Sequence, residues 1–493
     1  MSTDARSPLR LDPARAALFF FGACVLAFVW AQIDLLSRNG FWIDEYFSIW
    51  ASDPATPLSA LFAARILPDT NPPLYFTLLA LARTLIEDPR AAFLVLNVAA
   101  IALTVAFVLV SGRRAGMPGT ARLVAALFLI SGPVLCYAPE GRAYLMGLCS
   151  AFAIAWAAAL AVERGVDRRG LIGFAILGVL AALTHVFAAL FAGAFAAGLL
   201  AEGVLRRRFD VARAGLALGL AAVVVFGVWL LFVLEHMGKI AWIEFTVQAI
   251  RDSVWYVRQL AFGHVVIALA LVAFLAWSAR RAAMRPHLRV FAIGMALFAV
   301  LPILASFFTP LITGRYWLIG APAILVLAVL ALRAELAHAD APAPAGGRAL
   351  AGAGFAMAAL LAASALGFAN AQAFTMAKPM WRGAAIATPL LGACGPNEVR
   401  VAGPLYATAS GAPESVFLDV ETQPVPPGAS PGACPVLGWA EHVRRGDDYL
   451  TTASDAELLS MLHLEGAPEV QILRHASGFV VLRADARENG ETR

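Results

Sequence analysis

The chain has 493 residues, 60% of them hydrophobic and only 14% charged, with a formal net charge of +4 and a mean hydropathy of +0.76. Soluble domains are about half apolar and about a quarter charged, so a soluble globular protein is excluded, and no nucleic-acid partner is expected. The excess apolar residues come in blocks of roughly 17–25, the length that crosses a hydrocarbon core of about 30 Å as a helix. The fold class expected is an all-α polytopic membrane protein.

In chain order, Arg6, Arg10 and Arg15 precede an apolar block at 16–36 that lacks a small-residue cleavage site, so it reads as a retained first helix. The stretch FWIDEYFSIW (41–50) follows, with Asp44 and Glu45 set among aromatic residues of the kind that gather at a membrane interface. Next come Asp69 and Asn71 in DTNPPLYF, which open a short apolar run at 72–86. Further spans are expected at 91–111, 121–138, 143–163, 170–185, 186–205, 211–235, 263–279, 290–308, 316–332 and 349–369.

Arg113-Arg114, Arg168-Arg169, Arg206-Arg207-Arg208, Arg280-Arg281 and Arg285 punctuate alternate loops. Cytoplasmic loops carry the excess of Lys and Arg, and this orients the chain. Residues 37–70 and the Arg113-Arg114 pair then lie on opposite sides, so an odd number of crossings separates them. The short run at 72–86 is therefore expected to be a half-helix or interfacial helix. That leaves about eleven crossings and an external C-terminus.

After residue 370 the composition changes to an excess of Asp and Glu, with Pro and Gly clustered in ETQPVPPGASPGACP. Short runs with strand character, VQIL and GFVVLR, accompany a helix-like SDAELLSMLHLEG. Two domains are expected: a transmembrane catalytic domain over 1–370 and a small soluble external α/β domain over 371–493. Cys24, Cys136 and Cys149 fall in apolar spans and read as buried thiols. Cys394 and Cys434 both fall in the external part, where an oxidising compartment allows a disulfide.

Polar residues that are not topology signals collect on the external side. Asp44 and Glu45 are joined there by Asp69, by Glu140, Arg142 and Tyr144 of YAPEGRAY, by His185 of LTHVF, and by Arg315 and Tyr316 of TGRYW. Taken singly, each has a structural reading: acids at a helix start favour its dipole, and an arginine at a span end snorkels to head groups. Five separate segments converging on one membrane face argue for a site.

These landmarks, FWIDEYFSIW, NPPLYFTLLALA, YAPEGRAY, LTHVF and TGRYW in that order, resemble those of the bacterial dolichyl-phosphate-mannose-protein mannosyltransferase-like glycosyltransferases. That group belongs to the GT-C superfamily, which includes the aminoarabinose transferases of lipid A modification. The resemblance covers about residues 15–335, with KPMWRGAA after it also similar, and it departs at Asn71, where many relatives have His before the proline pair. It implies transfer of a sugar from a polyprenyl phosphate to a glycan, lipid or protein acceptor on the outer face of the bacterial inner membrane. In that chemistry a carboxylate takes the acceptor proton, which the resemblance assigns to Asp44 with Glu45 beside it.

The departing phosphate needs cations, and arginine suits it as a planar, permanently charged, bidentate donor. Arg142 and Arg315 are the candidates, with Arg65 and Lys378 weaker ones. Tyr144, Tyr316 and His185 would add donors, and Glu140 and Asp69 would orient or bind sugar. Asp44, Asp69 and Glu140 are also hard oxygen ligands able to take a divalent cation, although no fixed-spacing metal motif assigns one. A transporter or flippase of a lipid-linked sugar is the main alternative, and a non-catalytic envelope assembly protein the next. Transporters carry internal repeats and midplane sites, and neither is evident here.

Overall fold

The computed structural model describes residues 13–38, 43–67, 69, 71–233, 245–307, 312–338 and 345–376. It also describes short stretches at 399–402, 422–424, 436–439, 454–461, 470–475 and 479–484. The chain divides into two compact units. The first comprises 1–34, 58–82 and 90–372; the second comprises 35–57, 83–89 and 373–493.

The helices in chain order are α1 (Pro13–Arg38), α2 (Ile43–Ala51), α3 (Leu58–Leu61), α4 (Leu74–Arg83), α5 (Pro89–Arg114), α6 (Pro118–Leu129), α7 (Gly132–Tyr137), α8 (Tyr144–Arg164), α9 (Arg168–Thr184), α10 (Val186–Leu205), α11 (Phe209–Val233), α12 (Val247–Val257), α13 (Val265–Ser278), α14 (Met284–Ala305), α15 (Gly314–Trp317), α16 (Ala321–Leu336) and α17 (Ala345–Met376). This is a multi-pass membrane protein. Among the described residues, eight helical segments are long and apolar enough to cross a bilayer, and a bent pair brings the number to nine.

The expected eleven crossings are thus not eleven full-length helices. The span foreseen at 121–138 is broken between α6 and α7, where Gly132-Pro133 starts a new helix. That foreseen at 170–185 is α9, with 17 residues. The span foreseen at 263–279 is α13, which meets the helical stretch Val247–Phe262 at 74°. Gly263 makes that bend with φ +72°, a left-handed conformation open to glycine without strain. The run at 72–86 is α4, ten residues and so about 15 Å of rise, half of a hydrocarbon core.

Burial sorts the helices of the first unit. The central windows of α8, of α10 and of the stretch Gly314–Leu336 are 78%, 61% and 67% buried, whereas those of α1 and α11 are 22%. The former make the core and the latter face lipid. Lipid offers no hydrophobic drive for helices to associate, so close contact and polar ties hold them. Gly198 of α10 lies so near the Val290 carbonyl of α14 that a Cβ would sit 2.5 Å from it. Phe128 and Phe152 stack at 4.0 Å, and the indole of Trp156 donates to Ser111 Oγ at 2.9 Å.

One end of this bundle is held by ion pairs. Arg289 makes two bonds to Glu202 (2.6 and 2.8 Å) and Arg281 two to Glu335 (3.0 and 2.6 Å). Glu163 takes Arg333 at 3.1 Å and His287 at 3.3 Å. Glu163 and Tyr144 lie at opposite ends of α8, a helix of 21 residues and therefore about 30 Å long. Arg289→Ala would leave the buried Glu202 carboxylate only the exposed Arg206, 3.7 Å away. Loss of one partner of a buried pair costs about 3–5 kcal/mol; with Arg206 remaining and Arg289 itself partly exposed, a smaller cost of about 2 kcal/mol is expected. The thermal midpoint in detergent should fall, and Arg289→Ala with Glu202→Leu should recover most of it.

In the second unit, α2 carries Asp44 and Glu45 in its first turn, and Arg83 Nη1 donates to the Ile49 carbonyl at 3.0 Å. Five short strands, β1 (Val399–Ala402), β2 (Thr422–Pro424), β3 (Val436–Trp439), β4 (Val470–His475) and β5 (Phe479–Ala484), form one sheet in the order β2-β1-β3-β5-β4. β1 runs parallel to β2 and β3, while β5 is antiparallel to β3 and β4. The runs VQIL and GFVVLR fall in β4 and β5. The helix Asp455–Met461 opens on a capping box: Ser454 N donates to Glu457 Oε2 (2.8 Å) and Glu457 N to Ser454 Oγ (3.3 Å). The expected bridge between Cys394 and Cys434, and the stretch KPMWRGAA with Lys378, lie outside the described residues.

Candidate functional site

At the end of the first unit away from the ion pairs, the break after α7 turns YAPEGRAY back into the protein. Residues 132–145 are buried without interruption, including Glu140 (5% exposed), Arg142 (8%) and Tyr144 (3%). A charged turn inside a membrane protein needs its backbone satisfied, and Asn97 of α5 does this. Its Nδ2 donates to the carbonyls of Ala138 (3.1 Å) and Glu140 (2.7 Å). Gly141 leaves no room for a side chain against the Phe93 ring.

Around this turn the structure gathers several of the expected residues. The Arg142 guanidinium lies 5.5 Å from the Phe76 ring and 6.0 Å from the Tyr144 ring, within cation–π range. Tyr144 is 5.7 Å from His185 and 6.0 Å from Tyr316, and His185 is 5.1 Å from Tyr316. Phe187 closes the box at 4.9 Å from Tyr316. Arg315 precedes Tyr316 on the four-residue α15, which packs against α12 where Gly314 meets the Tyr256 Cβ; an added Cβ there would sit at 2.6 Å. Arg142, Tyr144, His185 and Tyr316 therefore share one cluster, with Arg315 beside it.

His185 fills the link between α9 and α10, outside either helix, and is 1% exposed. Its Nδ1 accepts the Phe187 amide at 3.1 Å and caps α10, so in the neutral ring Nε2 carries the proton. Burial, with the Arg142 charge adding to it, pushes the imidazole down to about 3, which keeps it neutral at physiological pH. Nε2 has no hydrogen-bond partner among the described residues; nor do the buried Thr313 Oγ1 and Trp317 Nε1 that flank Gly314-Arg315-Tyr316. Buried donors are normally satisfied. Each of the three is therefore open to an acceptor oxygen of a ligand.

Asp69 and Asn71 sit before α4, with Asn71 Nδ2 donating to Asp69 Oδ2 at 3.2 Å. Asp69 is half-buried and Asn71 buried. Arg65 lies in a π-helical turn, Phe62–Ile66. Asp44 and Glu45 belong to the second unit, where Asp44 is half-buried and Glu45 is 1% exposed. Among the described residues, no group of three His, Cys, Asp or Glu side chains is gathered as a metal site would require.

Two participants were missed at the sequence level. Tyr256 of α12 places its hydroxyl 3.1 Å from that of Tyr137, next to Tyr144 (rings 5.2 Å apart). Asn97 clamps the charged turn. A lone amide inside an apolar span is itself a functional flag, so Asn97 was findable. Tyr256 carried no such signal, because its partner lies 119 residues away.

No protein-family profile matches the chain, and no curated protein does. Solved structures do. The structure of ArnT from Cupriavidus metallidurans in the apo state aligns at a TM-score of 0.56 and 14% identity, over 97% of this chain and 100% of that one. The same protein bound to undecaprenyl phosphate aligns at 0.53 and 12% identity, over 95% and 99%. At such identities the likeness is one of fold. This chain shares the multi-pass fold of those solved structures.

Proposed function

We propose that this chain is an integral-membrane glycosyltransferase that moves a sugar from a polyprenyl phosphate to an acceptor at the external face of the bacterial inner membrane. The observation that carries the reading is the cluster of buried Arg142, Tyr144 and His185 with half-buried Tyr316, beside Arg315, with three donors lacking partners among the described residues. It lies toward one end of the bundle, a height that a lipid-borne phosphate reaches without leaving the bilayer. The structural likeness to a protein crystallised with undecaprenyl phosphate supports the same donor class here.

In this reading the arginines and the neutral His185 hold the phosphate and stabilise the charge that builds on it as the C1–O bond breaks. The leaving group is a phosphate ester, already a weak base, so it needs no proton. Asp44 takes the proton of the acceptor hydroxyl as that oxygen bonds to C1, and Glu45 positions Asp44. Glu140 and Asp69 bind sugar hydroxyls. In this reading the chain after α17 (Ala345–Met376) forms a soluble external α/β domain. The acceptor is a glycan, a lipid or a protein.

Membranes containing the protein, incubated with a panel of radiolabelled polyprenyl-phosphate sugars, should transfer label to a product from one donor. Movement of intact labelled lipid across sealed vesicles without any new glycoside would instead favour a flippase and sink the transferase reading.

A further inference from the structure

The ion-paired end of the first unit holds a second site. Between the C-terminal ends of α5 and α8 lies a cleft of about 660 Å³, lined by Phe107, Val110 and Arg114 from α5, by Leu160 and Arg164 from α8, and by Asp167 in the link beyond. Both arginines are exposed, and neither forms an ion pair or hydrogen bond with another described side chain. This sets them apart from Arg208, Arg281, Arg289 and Arg333 nearby, each committed to a carboxylate. Asp167 is already in use: its Oδ1 accepts the Gly170 amide at 2.8 Å as the cap of α9. Two free guanidiniums against one engaged carboxylate leave the cleft cationic.

The wall below them is apolar and continuous. Leu103, Phe107, Val110 and Arg114 follow at spacings of four, three and four, which puts them on one stripe of α5. Leu103, Phe107 and Val110 are 74%, 38% and 49% exposed. On α8 the same order recurs, with Leu160 one turn before Arg164. From residue 103 to residue 114 the helix rises about 16 Å, which is half the thickness of a hydrocarbon core. A soluble anion would have no use for such a stripe; one leaflet's acyl chain matches it.

We infer that this cleft binds one anionic phospholipid, its phosphate held between Arg114 and Arg164 and an acyl chain laid along Leu103, Phe107 and Val110. Basic pockets between spans recognise head groups in this way. The link α5–α8 joins is itself well tied, through Trp156 and Ser111, so the cleft is a formed surface. The site is distinct from the aromatic cluster at the other end of α8 and does not depend on the reaction assigned there.

The experiment is native mass spectrometry of the purified full chain in neutral detergent, titrated with phosphatidylglycerol or phosphatidylcholine of equal chain length. Phosphatidylglycerol should bind at one saturable site and phosphatidylcholine only weakly. The double variant Arg114→Gln with Arg164→Gln keeps the stems of the side chains and removes both charges, and should weaken phosphatidylglycerol binding about thirtyfold. Arg113→Gln, an exposed neighbour outside the cleft, should leave binding within about twofold. Unchanged binding in the double variant overturns the inference, and so does an equal loss in Arg113→Gln, which would mean surface charge alone. Displacement of the lipid by millimolar inorganic phosphate would reassign the cleft to a soluble anion.

Discussion

Asp44→Asn is expected to lower sugar transfer by about 10²–10⁴, the usual contribution of a general base, with the protein still inserted at normal abundance. The substitution keeps the side chain's size and most of its hydrogen bonding, and removes the lone pair that accepts a proton. Asp44 sits in the first turn of α2 and is half-buried. That position alone would suit an acid that merely favours the helix dipole, a role worth typically 0.3–1 kcal/mol of stability and nothing in turnover. The two roles therefore separate in one measurement: initial transfer rates in membranes normalised for protein. A rate within a few-fold of the parent would make Asp44 a helix-start acid and leave the reaction without its base. Glu45→Gln should cost less in rate, since Glu45 acts through its neighbour, and more in stability, since Glu45 is 1% exposed.

Arg142→Ala and Arg315→Ala should each reduce transfer by about 10²–10³, the range seen when one group that stabilises developing negative charge is removed. The geometry distinguishes the two. Arg142 is buried and stacked on Phe76 and Tyr144, so its alanine variant also loses packing. Arg315 is half-buried on the short α15. Lysine at either position keeps the charge without the planar fork and should retain part of the activity. The readout that a packing defect would not reproduce is inhibition by free polyprenyl phosphate. Its inhibition constant should rise in parallel with the loss of rate in the alanine variants and recover in part with lysine. An unchanged inhibition constant in both would place the phosphate elsewhere.

Sequence alone established the membrane class, since many blocks of 17–25 apolar residues in one chain match the length of a bilayer crossing. It also marked YAPEGRAY, LTHVF and TGRYW as belonging together, because charges are rare near a bilayer and these had no topological task. For 72–86 the parity argument from the arginine pairs led to an expected half-helix, and α4 has ten residues. What it did not reveal is where helices break. The window 121–138 is apolar enough to read as one span, but Gly132 at the break lies against the Leu260 carbonyl and Gly367, where an added Cβ would clash. The 74° bend turns on Gly263, at φ +72° and packed against Leu366. The convergence of Arg142, Tyr144, His185 and Tyr316 needed the tertiary structure for the same reason. Hydropathy assigns each segment a depth in the membrane, but the lateral order of helices comes from close contacts such as Gly198 on Val290 and Gly314 on Tyr256, which no one-dimensional pattern encodes.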